Sequence, residues 1–165
     1  MEKNGIFSAL DLAKYLNFLH NKEKGCNISP LKLQKTLFFL FGEWGAFISR
    51  AKSSKGDWSI LKDYRKYLFN ENIEAWLYGP VVREVYNNFN NEMLSDKELF
   101  HTEEELYAKD FINDLSKELF NLSDFRLVEL SHQLECWKSN FNNKEELHSK
   151  TIDKDKIINE FLLQL

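Results

Sequence analysis

Apolar side chains recur every three or four residues along most of the chain, which is the period of an amphipathic helix. Several of these runs begin at a residue whose side chain can cap the free amides of a first helical turn: Ser8, Ser29, Thr102, Ser123 and Asp153. The first helix is expected to reach about Asn21, and the last to bury Ile157, Phe161 and Leu165. The pattern predicts a mainly α protein with about six or seven helices.

The run from Leu33 to Phe47 is expected to form a central helix. Ser29 and Pro30 mark its start, because proline at the first helical position lacks only an N–H that would have had no partner there. Apolar residues recur at helical spacing through the run, and phenylalanines at 38, 39 and 41 extend them around the helix. A helix that is apolar on nearly every side is buried in the middle of a fold.

The region after this helix is less regular. Residues 49–57 are polar and include a glycine, which predicts a break, and residues 58–69 predict a short helix. Residues 70–78 favour an extended segment, because two sets of side chains alternate along them. These sets are Ile73, Ala75 and Leu77 against Glu74, Trp76 and Tyr78.

Gly79 and Pro80 are predicted to turn the chain sharply from this extended segment into another helix. That helix would bury a stripe formed by Val82, Val85, Tyr86 and Phe89. The helix that starts near Ser123 is expected to continue through Trp137, and residues 138–151 are the most loop-like part of the chain.

Composition narrows the class of protein. A chain of 165 residues fits a single domain over residues 1–165 and is long enough to bury a core without a metal or disulfide. The net charge of −4 disfavours a nucleic-acid or anionic-membrane partner. The longest apolar run, Leu37 to Phe41, is too short to span a bilayer, and no signal-peptide pattern is present. We therefore expect a cytoplasmic protein with reduced thiols at Cys26 and Cys136.

The sequence contains no complete motif for catalysis or metal binding among those considered. The sequence contains no Gly-x-Ser-x-Gly elbow, no P-loop and no Gly-x-Gly-x-x-Gly. His132 and Cys136 lie four residues apart on the helix predicted there, but two ligands do not complete a site, so no metal is expected. The acids at Glu103–Glu105 are explained by the positive end of a helix. The bases at 50, 52 and 55 are better explained as a solvated loop than as a nucleic-acid contact.

Two separated segments form the most specific pattern in the chain. Residues 29–39 read SPLKLQKTLFF, and residues 73–86 read IEAWLYGPVVREVY. A third element, ELSH at 129–132 followed by Trp137, lies farther on. Together these segments resemble the Panacea domain, the SocA-like family found in bacterial antitoxins and in phage and prophage proteins. The resemblance covers about residues 8–165, with a long spacer at 45–70 and an unusual stretch at 95–120, either of which could form the interface.

The resemblance implies a non-enzymatic protein that binds another protein. The first expectation is an antitoxin that neutralises a toxin by direct binding. Two other roles stay open, an inhibitor of a host defence such as a nuclease system, encoded by a phage or prophage, and an adapter for proteolysis. No catalytic residue and no cofactor come with the family, and self-association into a homo-oligomer remains open.

The segment with the Gly-Pro pair is the candidate partner-binding site. Its residues are Trp76, Tyr78, Gly79, Pro80, Arg83 and Glu84. Tyrosine and tryptophan that are partly exposed make good interface anchors. Trp76 has a second explanation, packing against the central helix with the Gly-Pro pair shaping a core corner. Tyr78, Arg83 and Glu84 are expected to be exposed.

Overall fold

A 24-residue helix, α2 (Pro30–Ser53), runs through the middle of the protein and is buried along most of its length. The computed structural model describes residues 4–54, 60–93, 99–141 and 148–164. The other helices in these ranges are α1 (Ala9–Lys24), α3 (Arg83–Asn88), α4 (Glu103–Phe120), α5 (Asp124–His132), α6 (Glu135–Lys138) and α7 (Lys154–Leu162). The prediction of a mainly α protein around a buried central helix is confirmed.

All five predicted capping residues lie at helix starts. In each case the side-chain oxygen accepts a hydrogen bond from the backbone amide three residues later. At Thr102 the bond is reciprocal, because the Glu105 side chain also accepts from the Thr102 amide. Each such cap contributes about 1 kcal/mol. Local sequence therefore determines where these helices begin.

Two glycines let the last helix approach α2 closely. A side chain at Gly42 would overlap the ring of Phe161, and one at Gly45 would overlap Ile158. Phe161 also packs edge-on against Phe38, with ring centroids 5.7 Å apart. α7 therefore covers one side of the central helix and buries Ile157 and Phe161, as predicted, whereas Leu165 lies outside the described residues.

Two small sheets complete the fold in the part of the chain that the structure describes. Strand β1 (Gly5–Phe7) pairs in parallel with β2 (Tyr67–Phe69). The second sheet has the order β4-β3-β5 and is antiparallel, with β3 (Ile73–Trp76), β4 (Gly79–Val81) and β5 (His148–Ile152). Trp76 is opposite Gly79, so β3 and β4 form a hairpin joined at Leu77 and Tyr78. This confirms the extended segment for residues 73–76.

The prediction that Gly79 and Pro80 open a helix is wrong. Both residues belong to β4, and α3 begins only at Arg83. Proline is tolerated there because β4 is the edge strand of its sheet, where one side of the backbone needs no strand partner. Proline at a helix start and proline in an edge strand look alike in sequence.

The short helix predicted at 58–69 is also wrong where the structure describes it. Residues 61–63 form one 3-10 turn, and the chain then enters β2. Residues 55–59 lie outside the described residues. The polar break predicted from residue 49 begins later, because α2 continues to Ser53, and α1 likewise extends to Lys24 rather than Asn21.

The helix predicted from Ser123 through Trp137 is interrupted. α5 ends at His132, and α6 starts at Glu135, where the Glu160 carboxylate accepts bonds from two α6 amides. His132 and Cys136 therefore do not share a helix. In the loop-like stretch 138–151, residues 148–151 belong to β5, and 142–147 lie outside the described residues. No helix in the described ranges has both the length and the apolar character needed to cross a bilayer.

Candidate functional site

Residues Trp76–Val82 form one corner of the protein, which we call the hairpin corner. They run from the last residue of β3 through the turn and β4 to the residue after β4. Its tip is exposed, with 43% of Leu77 and 59% of Tyr78 accessible. Gly79 follows with φ of +109°, a backbone conformation that residues with side chains rarely adopt. The other end of the corner is buried, because Pro80, Val81 and Val82 face the interior.

Two buried side chains of α2 bind the backbone of the hairpin corner. The amide of Gln34 makes two bonds to Val82, accepting from its N–H at 2.8 Å and donating to its carbonyl at 3.3 Å. The ammonium of Lys35 donates to the Pro80 carbonyl at 3.0 Å. α2 therefore provides the hydrogen-bond partners of this edge strand that another strand would otherwise supply.

Two more side chains support the corner from the other side. Trp137 Nε1 donates to the Trp76 carbonyl at 2.8 Å, and the imidazole of His132 lies beside the Leu77 carbonyl. The two rings are stacked, with centroids 3.9 Å apart and planes 16° apart. Burial lowers the pKa of His132, which favours the neutral ring. The tip of the hairpin is thus fixed from α5 and α6.

Lys35 is an unusual component of this corner because it is completely buried. Burial lowers the pKa of its amine to about 7. A Cβ placed on Gly79 would lie 2.6 Å from Lys35 Cε and 2.6 Å from Ser131 Oγ. Gly79 therefore covers the lysine at a distance that no larger residue permits.

Charged and aromatic side chains form the outer face of the corner. The Arg83 guanidinium makes two bonds to the Glu74 carboxylate, at 2.7 and 2.8 Å. Its central carbon lies 5.3 Å from the centroid of the Trp76 ring. Tyr86 packs edge-on against Trp76 at 4.9 Å and is 64% exposed. Trp76 is held between these neighbours with 9% of its surface accessible.

A cleft of about 270 Å³ lies between the hairpin corner and the start of α2. Its walls are largely apolar and include Leu31, Trp76, Leu77, Val81 and Tyr86, with Lys35 behind them. Ordinary small-molecule pockets start near 300 Å³, so this cleft has room for about one large side chain. Among the described residues no three metal-ligating side chains come together.

The predicted site residues divide into an exposed and a buried group. Tyr78, Arg83 and Glu84 are exposed, as expected. Gly79 and Pro80 are buried, and so is Trp76, in agreement with the packing explanation for that residue.

Two other residues of this surface, Leu77 and Tyr86, are also exposed. The sequence pattern placed Tyr86 on the buried stripe of a helix, which is wrong, and it grouped Leu77 with Ile73 and Ala75, which are buried. The strand alternation ends at Trp76, where the turn begins. α3 begins only at Arg83 and has six residues, of which Val85 is buried and Tyr86 is exposed. No sequence signal indicated that Gln34, Lys35 and His132 would meet the hairpin.

The fold and this corner define a compact, mainly helical domain that presents a rigid hairpin tip beside an apolar cleft. The chain belongs to the SocA-like antitoxin family with the Panacea domain, whose family model matches residues 56–138. The matched range contains the hairpin corner, His132 and Trp137, whereas α1 and α2 precede it. Comparison with curated proteins and with solved structures gave no match.

Proposed function

We propose that this protein is an antitoxin that neutralises a partner toxin by direct, non-enzymatic binding at the hairpin corner. The observation that carries the proposal is the cluster of exposed Leu77, Tyr78 and Tyr86 around an apolar cleft, on a backbone bonded from both sides. Membership of the antitoxin family supports a protein as the partner.

A rigid tip favours tight binding. Ordering a loop on association costs free energy, and a loop that is already fixed avoids that cost. Hydrogen bonds from Trp137 to the Trp76 carbonyl, and from Lys35 to the Pro80 carbonyl, hold the hairpin corner before any partner arrives. Tyr78 and Tyr86 then provide large, amphipathic contact surfaces of the kind that dominate interface energies.

The six residues of the candidate site have different roles in this proposal. Tyr78, Arg83 and Glu84 are exposed and would contact the toxin. Gly79 and Pro80 shape the backbone beneath them, and Trp76 forms a wall of the cleft.

The test begins with the genes on either side of this one. The neighbouring gene is expressed alone and together with this protein, and growth and co-purification are measured. We expect toxicity alone and rescue with a stable complex when both are present. A neighbouring product that is harmless on its own would refute the antitoxin proposal.

The location of the interface is tested with a matched pair of alanine substitutions. Leu77→Ala removes an exposed leucine from the tip, and Leu106→Ala removes one of similar exposure, 48%, from α4. The next residue, Tyr107, packs on Trp44 and Phe47 in the distal half of α2, well away from the cleft. We expect Leu77→Ala to weaken the complex about tenfold or more and Leu106→Ala to leave it unchanged. Equal effects would place the interface elsewhere.

A further inference from the structure

The charges around the cleft are unequally compensated. Arg83 is paired with Glu74 at 2.7 Å, and Lys32 lies 3.8 Å from Asp124. Lys35 has no carboxylate within 4.0 Å among the described residues. Its ammonium donates a hydrogen bond to a neutral carbonyl, that of Pro80. When Lys35 is protonated, this end of the cleft therefore carries a positive charge that lacks a nearby counter-ion in the described protein.

Gly79 brings that charge close to the surface. A Cβ on Gly79 would lie 3.3 Å from Lys35 Nζ, so the ammonium lies directly behind the glycine backbone. The surrounding walls are apolar, and charge–charge attraction in such surroundings is screened much less than in water. An anion placed in the cleft would therefore interact with Lys35 through a thin layer of protein.

The size of the cleft limits what can bring an anion there. With about 270 Å³ it accepts one large side chain and leaves no room for a helix. A chain terminus combines an apolar side chain and a carboxylate in one residue, whereas an internal acidic segment needs two residues side by side.

We propose that the cleft binds the C-terminal residue of the partner protein, an apolar residue whose side chain lies between Leu31, Trp76 and Tyr86 and whose free carboxylate lies toward Lys35. This inference rests on the proposed function only for the identity of the partner as a toxin. Burial supports it independently, because an amine with a pKa of about 7 is readily recharged by a nearby anion.

The test uses the isolated protein and three small probes, so its outcome does not depend on the toxin. The probes are N-acetyl-phenylalanine, its carboxamide, and N-acetyl-aspartyl-phenylalanine carboxamide. Binding is followed by NMR chemical-shift titration at about pH 6.5, where Lys35 is mainly protonated. We expect the free acid to bind about tenfold more tightly than the carboxamide, with shifts at Trp76, Leu77 and Tyr86.

Lys35→Met should abolish the preference for the acid, and Lys14→Met, which removes a partly exposed lysine of α1, should preserve it. The comparison of acid with carboxamide in the unaltered protein stands even if Lys35→Met fails to fold. Equal binding of acid and carboxamide, or no binding of either, would overturn the proposal. Tighter binding of the aspartyl probe would overturn the chain terminus in favour of an internal acidic segment.

Discussion

The side chain of Gln34 pairs with Val82 as a neighbouring strand would, because its amide oxygen accepts from the Val82 N–H and its amide nitrogen donates to the Val82 carbonyl. The two residues are 48 positions apart in the chain. One side chain thus bonds both backbone groups of a buried residue that follows an edge strand, and the carbonyl of that residue also accepts from the Tyr86 amide.

Replacement of this glutamine should be costly. Gln34→Met keeps most of the side-chain volume but leaves the Val82 N–H buried without this bond, whereas the Val82 carbonyl keeps the bond from the Tyr86 amide. An unsatisfied buried group costs about 1–3 kcal/mol, so we expect a loss of about that size in the free energy of unfolding, measured by urea denaturation. Thr36→Val is the control, because the Thr36 hydroxyl is buried and has no bonding partner among the described residues. It should be neutral or stabilising, and a loss equal to that of Gln34→Met would contradict the explanation.

Two glycines with positive φ provide a second comparison. Gly25 has φ of +73° at the end of α1 and open space around it, so Gly25→Ala should cost only about 1 kcal/mol of conformational strain. Gly79→Ala adds a clash with Lys35 and Ser131 and should cost about 1–3 kcal/mol more than Gly25→Ala. Thermal or urea unfolding of both variants measures the difference. Similar values for the two would show that the corner relaxes around a methyl group.

Lys35 should make stability depend on pH. Its pKa is about 7 in the folded protein and 10.5 as the ordinary value, so between these values the unfolded chain binds a proton that the folded chain lacks. Stability therefore rises with pH over this window, by about 2 kcal/mol between pH 7 and pH 9. His132, the nearest other titrating group that interacts with Lys35, has a lowered pKa and stays neutral there.

The measurement is urea denaturation of the unaltered protein and of Lys35→Met across that range. Burial raises the pKa of the Cys136 thiol, which acts in the opposite direction as the unfolded thiol ionises, but this effect is common to both proteins. Relative to Lys35→Met, the unaltered protein should gain about 2 kcal/mol in the free energy of unfolding as the pH rises from 7 to 9. A difference independent of pH would show that Lys35 titrates normally.

The sequence predicted features that depend on neighbouring residues. Each capping residue bonds an amide three positions away, so Ser8, Ser29 and the others could be recognised from a few residues each. The buried central helix was equally predictable, because its apolar side chains surround it. These features account for the correct fold class.

The hairpin corner could not be predicted in the same way. Lys35 bonds a residue 45 positions away, and Trp137 bonds one 61 positions away. Such bonds depend on how α2, α5 and α6 are arranged, which no local pattern encodes. The exposed Leu77 illustrates the same limit, because strand periodicity groups it with the buried Ile73 and Ala75, whereas the turn after Trp76 makes it exposed.

The glycines at 42 and 45 have a consequence for the order of folding during synthesis. They leave a channel on α2 that is filled by Phe161 and Ile158, which leave the ribosome long after α2 itself. Until then the central helix has an open apolar side, and nascent chains offer that side to chaperones. The hairpin corner depends on the same late segment, because Glu160 of α7 bonds the start of α6, which carries Trp137.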